Sequence, residues 1–230
     1  MRSPDCFLKF MQSVDAFFPV GAFTLSNGLE SYVLEERLQT PEDLKEYLHG
    51  FLMVFPYQDL GIAHFAFTHG MDIKYLCKLD QLTGAMKGAK EVRLGSCKMG
   101  IRFLKARTAM HDCEETLQWY RKLVKGHTLD GYYAIALGIY AASVFETEEE
   151  SQFLSMYGYS VISAIVNNAV KLVPLSQMDG QRILSECLSM LSEAVEQVQR
   201  ITEEELGICG GAMEISCMRH EQLYSRQYMS

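Results

Sequence analysis

Residues 131–145 read GYYAIALGIYAASVF, and the reading of this stretch decides the fold. It is apolar on every side, so it has no face meant for water. It falls short of the roughly 18 to 20 apolar residues that cross a bilayer. It carries Ala134, Ala136, Gly138, Ala141 and Ala142, and small residues let helix axes approach closely. The stretch therefore predicts a helix over 129–145 at the centre of a bundle, with other helices packed around it.

The flanking sequence agrees. In TPEDLKEYLHGFLM, residues 40–53, Thr40 is a natural N-cap and Pro41 suits the first helical position. Glu42 and Asp43 suit the positive end of the helix dipole. Leu44, Tyr47, Leu48, Phe51 and Leu52 then recur at i, i+3, i+4, i+7 and i+8, which is one helical face. Residues 179–200 repeat the pattern through Leu184, Cys187, Leu188, Leu191, Val195 and Val198. Further helices are expected near 58–69, 71–84, 88–110, 113–124 and 149–170. Alternating strand patterns are nearly absent. The expectation is an all-α protein, a single bundle of about 8–10 helices over 1–206. A flexible, glycine-hinged tail is expected over 207–230, where Gly207, Gly210 and Gly211 precede a stretch of poor periodicity.

The bulk numbers fit a soluble globular protein: 230 residues, 48% hydrophobic and 22% charged, with a net charge of −8. An acidic chain is a poor match for nucleic acid or an anionic membrane. The seven cysteines are odd in number and follow no secretory leader. Free thiols in a reducing cytoplasm are the economical reading.

The chain offers little for catalysis. It has no G-x-x-x-x-G-K-[ST] phosphate loop, so it is expected to bind no GTP or ATP by itself. His64 and His69 lie five apart and cannot share one helical face. No serine sits in a nucleophile elbow, and Cys97 on a helix reads as a small buried hydrophobe. Cys209, Cys217 and His220 match no compact zinc spacing. Cys217 and His220 remain as candidates for a transient metal contact, and no catalytic residue or cofactor is assigned.

Four stretches carry a resemblance. DAFFPVGAFTLSNGLESYV (15–33), VRLGSCKMGIRFLKA (92–106), NNAVKLVPLSQMDGQRIL (167–184) and MRHEQLYSRQYMS (218–230) stand in this order. Together they resemble the signatures of the urease accessory protein UreF family. Two departures stand out: His127-Thr128 replaces a His-Pro, and Cys217 places a thiol where the family usually has none. The resemblance implies an all-α, non-enzymatic, often dimeric helper in urease maturation. It implies binding to a UreD-type protein (UreH in some bacteria), recruitment of the GTPase UreG, and delivery of Ni²⁺ to apo-urease.

The motif residues then become candidates for partner contact. In the first stretch they are Phe18, Pro19, Gly21, Phe23, Gly28, Glu30 and Tyr32; Pro19 and Gly21 shape a turn, and the aromatics are interface anchors. Arg93 and Arg102 come from the second stretch, and Gln177, Asp179 and Gln181 from the third. Arg219, His220, Glu221, Tyr224 and Arg226 come from the tail, expected to be mobile until a partner orders it. The alternative is a regulator of the partner GTPase, with Arg102 or Arg226 stabilising phosphoryl charge. A small helical enzyme is the third class.

Overall fold

A computed structural model describes residues 4–110 and 115–228. Among these residues there are twelve α-helices, five short 3₁₀ turns and no strand. The helices are α1 (Pro4–Val14), α2 (Leu29–Leu34), α3 (Pro41–Val54), α4 (Asp59–Thr68), α5 (Ile73–Met86) and α6 (Lys90–Ala109). They continue as α7 (Glu115–Lys125), α8 (Tyr133–Val144), α9 (Glu150–Leu172), α10 (Gln177–Glu186), α11 (Leu188–Val198) and α12 (Gly211–Arg219). The all-α reading holds. None of the described helices is long and apolar enough to cross a membrane.

The stretch 131–145 supplies the central helix. From Tyr133 to Ala141 every residue of α8 is buried. It packs between α4 and α6, and the small residues are what permit this. A Cβ on Gly138 would stand 2.6 Å from the Ala63 carbonyl oxygen on α4. Around α8 the aromatic rings interlock edge to face: Phe10 meets Phe153 at 5.5 Å, and Phe103 meets Tyr140 at 5.8 Å. The helix begins at Tyr133 rather than 129 because a buried acid organises the preceding loop. Asp80 accepts from the Tyr120 hydroxyl at 2.6 Å and from the backbone N–H groups of Asp130 and Gly131 at 2.8 and 3.1 Å. Burial raises the Asp80 carboxyl pKa, and these three donors oppose the shift.

Other helix starts follow local chemistry. Thr40 and Asp43 form a reciprocal capping box at the start of α3, as the sequence suggests. The pattern over 179–200 gives two helices instead of one, with the break at Cys187, whose N–H is shared between the carbonyls of Ile183 and Leu184. This break, together with α1 and the short α2 and α12, accounts for the four helices beyond the eight named from the sequence. His64 meets Glu150 at 2.7 Å, and the His69 ring stacks on Tyr75 at 3.8 Å. These two histidines serve the packing.

Arg107 ties α1 to the core. Fully buried on α6, its guanidinium lies 4.2 Å from the Tyr140 ring centre and 5.1 Å from that of Phe18. It donates to the Lys9 carbonyl oxygen at 2.7 Å and to the Ser13 hydroxyl.

Six cysteines are described, and all six are free of disulfides; Cys113 lies outside the described residues. Burial pushes the Cys97 thiol up to about 11 and the Cys217 thiol up to about 12, while Cys209 is exposed. Since the thiolate is the reactive form, both should alkylate at least about a hundredfold more slowly than the exposed Cys209 at pH 8, Cys217 the more slowly of the two. Mass spectrometry of timed iodoacetamide labelling reads this directly; equal rates for Cys217 and Cys209 would contradict the packing of α12.

A candidate partner interface where four distant stretches meet

The segment from Val20 to Ser31 is a hub with three residues in the left-handed region, Asn27 at φ 54° and two glycines, which adopt it without strain. Gly21 has φ 81°, and Gly28, just before α2, has φ 83°. The Arg102 guanidinium, from α6, lies directly over Gly21 where a Cβ would stand, and donates to the Val20 carbonyl oxygen at 3.2 Å. Gly95 on α6 makes room for the Leu25 side chain. From α9, Asn168 donates its amide to the Leu25 carbonyl oxygen at 2.9 Å. From α3, the Tyr47 hydroxyl donates to the Asn27 carbonyl oxygen at 2.5 Å. Gly28 faces Cys217 of α12, whose Sγ would stand 3.0 Å from a Cβ at that position. The Ser31 hydroxyl donates to the Ser216 carbonyl oxygen at 2.8 Å.

An ionic knot closes the hub. The His220 ring is wholly buried between two carboxylates, with Nε2 at 3.0 Å from Glu30 and Nδ1 at 2.6 Å from Glu91. Glu30 also accepts the backbone N–H groups of Gln227 and Tyr228 at 2.7 and 3.1 Å. Arg226 reaches Glu91 at 2.5 Å, and Arg219 reaches Glu35 at 3.2 Å. The Arg219 hydrogen bond first, and Arg37 second, hold the Glu35 carboxyl below its usual range. Buried charges persist in folded proteins when they are paired and fully hydrogen-bonded, and this cluster meets both conditions.

The candidate residues thus divide. Phe18 is a core residue at 5% exposure, packed 5.8 Å from Phe103, whereas its neighbour Phe17 is 95% exposed. Glu30, Gly28 and His220 are buried by the chain's own fold. Tyr32 packs edge-on against Tyr47 at 5.1 Å and stacks under Arg37. Arg93 donates to the Lys87 carbonyl oxygen at 2.8 Å. Asp179 caps α10 in a box with Ser176, whose hydroxyl and backbone hydrogen bonds lower its pKa. Cys217 and His220 are likewise taken up by the fold: one thiol is buried, and both ring nitrogens of His220 are engaged. The exposed candidates are Pro19, Phe23, Arg102, Gln177, Gln181, Arg219, Glu221, Tyr224 and Arg226. Phe23 is 58% exposed, and Tyr224 carries no covering at all.

Within the tail, α12 packs on α2 and α6, and Ser216, Cys217 and His220 are buried. Gly207 is a turn with φ 96°, its N–H bonded to the Tyr57 carbonyl oxygen at 2.9 Å. The sequence did not mark Asn168 or Tyr47 as partners of the first stretch, nor Glu91 as a partner of the tail. Glu91 alone left a trace, as the one acid among the six cations of α6.

Beside the hub, a groove of about 780 Å³ opens between the N-terminal turn, α9 and α11, bordered by Met11, Val14, Phe23, Met156, Tyr159 and Leu188.

Comparison with known proteins places this arrangement. The UreF family model matches residues 38–188. The urease accessory protein UreF of Haemophilus influenzae strain PittGG is 36% identical over 221 residues, covering 94% of this chain and 92% of that protein. The chain belongs to the UreF family. Its UreF relatives extend further: the protein from Actinobacillus pleuropneumoniae serotype 5b strain L20 is 36% identical, with 94% and 96% of the two chains covered. The UreF protein of Bacillus sp. strain TB-90 is 32% identical over 97% of this chain and 98% of its own. The family model stops short of both the first stretch and the tail, the two segments that the ionic knot joins in this UreF member.

Proposed function

We propose that this UreF-family protein is a non-catalytic scaffold in urease maturation. It binds a UreD- or UreH-type partner, recruits the UreG-type GTPase, and acts in an assembly that delivers nickel to apo-urease in the cytoplasm. In this reading it works as a homodimer and leaves nucleotide chemistry to the GTPase. The observation that carries the proposal is the hub. Buried pairs fix the first stretch and the tail against each other, and beside them stand unpartnered aromatics, Phe23 and Tyr224. Large aromatics on a rigid support lose little entropy on binding, which is why they dominate interface energetics. Arg219, Arg226, Gln177 and Gln181 supply polar groups at the rim.

The alternative, an activator of the GTPase, needs an arginine that can reach into another active site. Arg102 is tied to the Val20 carbonyl and Arg226 to Glu91, so the scaffold reading is preferred.

The test is co-purification with the purified UreD-type partner. Phe23→Ala and Tyr224→Ala remove exposed rings and should leave the helical spectrum unchanged. Each should weaken the complex by about 2 kcal/mol, roughly thirtyfold. Undiminished binding by both variants would remove the hub from the interface.

A further inference from the structure

The acidic balance of the chain is broken on one helix. α6 holds Lys90, Arg93, Lys98, Arg102, Lys105 and Arg107, with Glu91 as its single acid, in a protein of net charge −8. Its solvent-facing residues are Lys90, Leu94, Lys98, Ile101, Arg102 and Lys105. Spaced by three and four, they form one continuous stripe about 23 Å long at 1.5 Å per residue. The stripe contains no acid. Leu94 and Ile101, 45% and 49% exposed, flank Lys98 at its centre.

Several cations elsewhere in the chain are neutralised. Lys45, Lys87, Arg219 and Arg226 each hold a carboxylate. Among the described residues, no ion pair engages Lys90, Lys98 or Lys105. A chain rich in acids thus leaves three lysines of one helix face without an ion pair, beside two bare aliphatic side chains. From Lys90 to Lys98 the stripe lines a groove of about 490 Å³, together with Glu91 and with Glu221, Arg226 and Tyr228 of the tail. The surface is therefore continuous with the hub.

We propose that the outer face of α6 is a docking surface for a protein partner that presents carboxylates interleaved with apolar side chains. Charge complementarity selects this occupant. Unpaired lysines attract carboxylates and steer encounter. Leu94 and Ile101 need an apolar counterpart, which a polyanion such as nucleic acid does not offer. The acidic remainder of the chain also repels an extended polyanion, while a compact acidic patch meets the stripe alone. The inference rests on the maturation reading, because it draws the partner from the urease proteins: the UreD-type protein, the UreG-type GTPase or apo-urease.

The experiment measures binding of the full chain to each of these three purified proteins by interferometry. Lys98→Glu/Lys105→Glu is compared with Lys122→Glu/Lys125→Glu, which makes the same charge change on exposed positions of α7. Far-UV spectra check that both variants fold. For one partner the α6 variant should lose at least about tenfold in affinity, mostly as a slower on-rate, and the wild-type association should weaken as salt rises. The α7 variant should stay within about twofold. Leu94→Ser/Ile101→Ser should weaken the same complex through a faster off-rate. Equal losses for α6 and α7 variants, or no loss with any partner, would overturn the proposal while leaving the maturation reading intact. So would α6-dependent binding of heparin or phosphatidylserine vesicles with the three proteins unaffected. Failure of the wild type to bind any of the three would overturn both.

Discussion

Gly100→Ala is expected to leave little folded protein. Gly100 lies on α6 where that helix crosses the loop leading into α8. A Cβ there would overlap the Gly131 carbonyl oxygen and stand 2.9 Å from both the Tyr132 carbonyl carbon and the Tyr133 nitrogen. All three atoms belong to backbone, so no side chain can rotate away. The loop is also pinned by Asp80 through two backbone hydrogen bonds. The only relief is to separate α6 from α8, which opens the central packing layer. Overpacking against backbone should cost upwards of about 3 kcal/mol, a large share of the roughly 5 to 15 kcal/mol that holds a domain folded. The same substitution at Gly50 gives the contrast. That residue lies on α3 with nothing within 4 Å of a built Cβ, and Gly50→Ala should stabilise by about 0.5 to 1 kcal/mol through helix propensity. Urea midpoints of the two variants should move in opposite directions; an unmoved midpoint for Gly100→Ala would contradict the α6–α8 contact.

The second large effect is expected at His220. His220→Ala removes the group that bridges Glu30 and Glu91 and leaves two carboxylates facing one another, Glu30 almost fully buried. Breaking a buried charged pair on one side typically costs about 3 to 5 kcal/mol. The cost falls on tail docking, because α12, Gln227, Tyr228 and Arg226 are all held through the same two acids. Hydrogen exchange should show amides of 212–219 losing protection while those of α8 keep theirs. Helix content should change by no more than α12. His220→Gln, able to donate to one carboxylate, should fall between. Under the proposed function, His220→Ala should also lose its partner, since Tyr224 would no longer be carried by a docked tail. Unchanged tail protection would show that the knot does not hold the tail.

These effects follow from contacts of very different legibility. The helices of the core were readable because leucines and aromatics recur at 3.6-residue spacing, and α3 matched its caps and its face. The central position of α8 was readable from its small and apolar composition. The break at Cys187 was not, because the apolar pattern runs across it without change. Phe17 and Phe18 stand side by side and carry the same residue type, so nothing local separates the exposed ring from the core ring. The docking of α12 was not legible in the sequence for a physical reason. α12 docks by burying a serine, a cysteine and a histidine, and hydrophobic periodicity does not register such residues. Pairing between Glu30 and His220 spans 190 positions and leaves no mark in either segment. The four family stretches were recognisable one by one. Their convergence on Val20–Ser31 is a tertiary fact.

The central claim is that this chain is needed to mature urease. The most direct measurement is urease activity and enzyme-bound nickel in a host expressing the structural and other accessory genes, with and without this chain. The account predicts that apo-urease accumulates without it, and that activity and nickel appear together when it is supplied. Phe23→Ala/Tyr224→Ala should restore neither, despite a normal helical spectrum. Fully nickel-loaded, active urease in the absence of the chain would contradict the account.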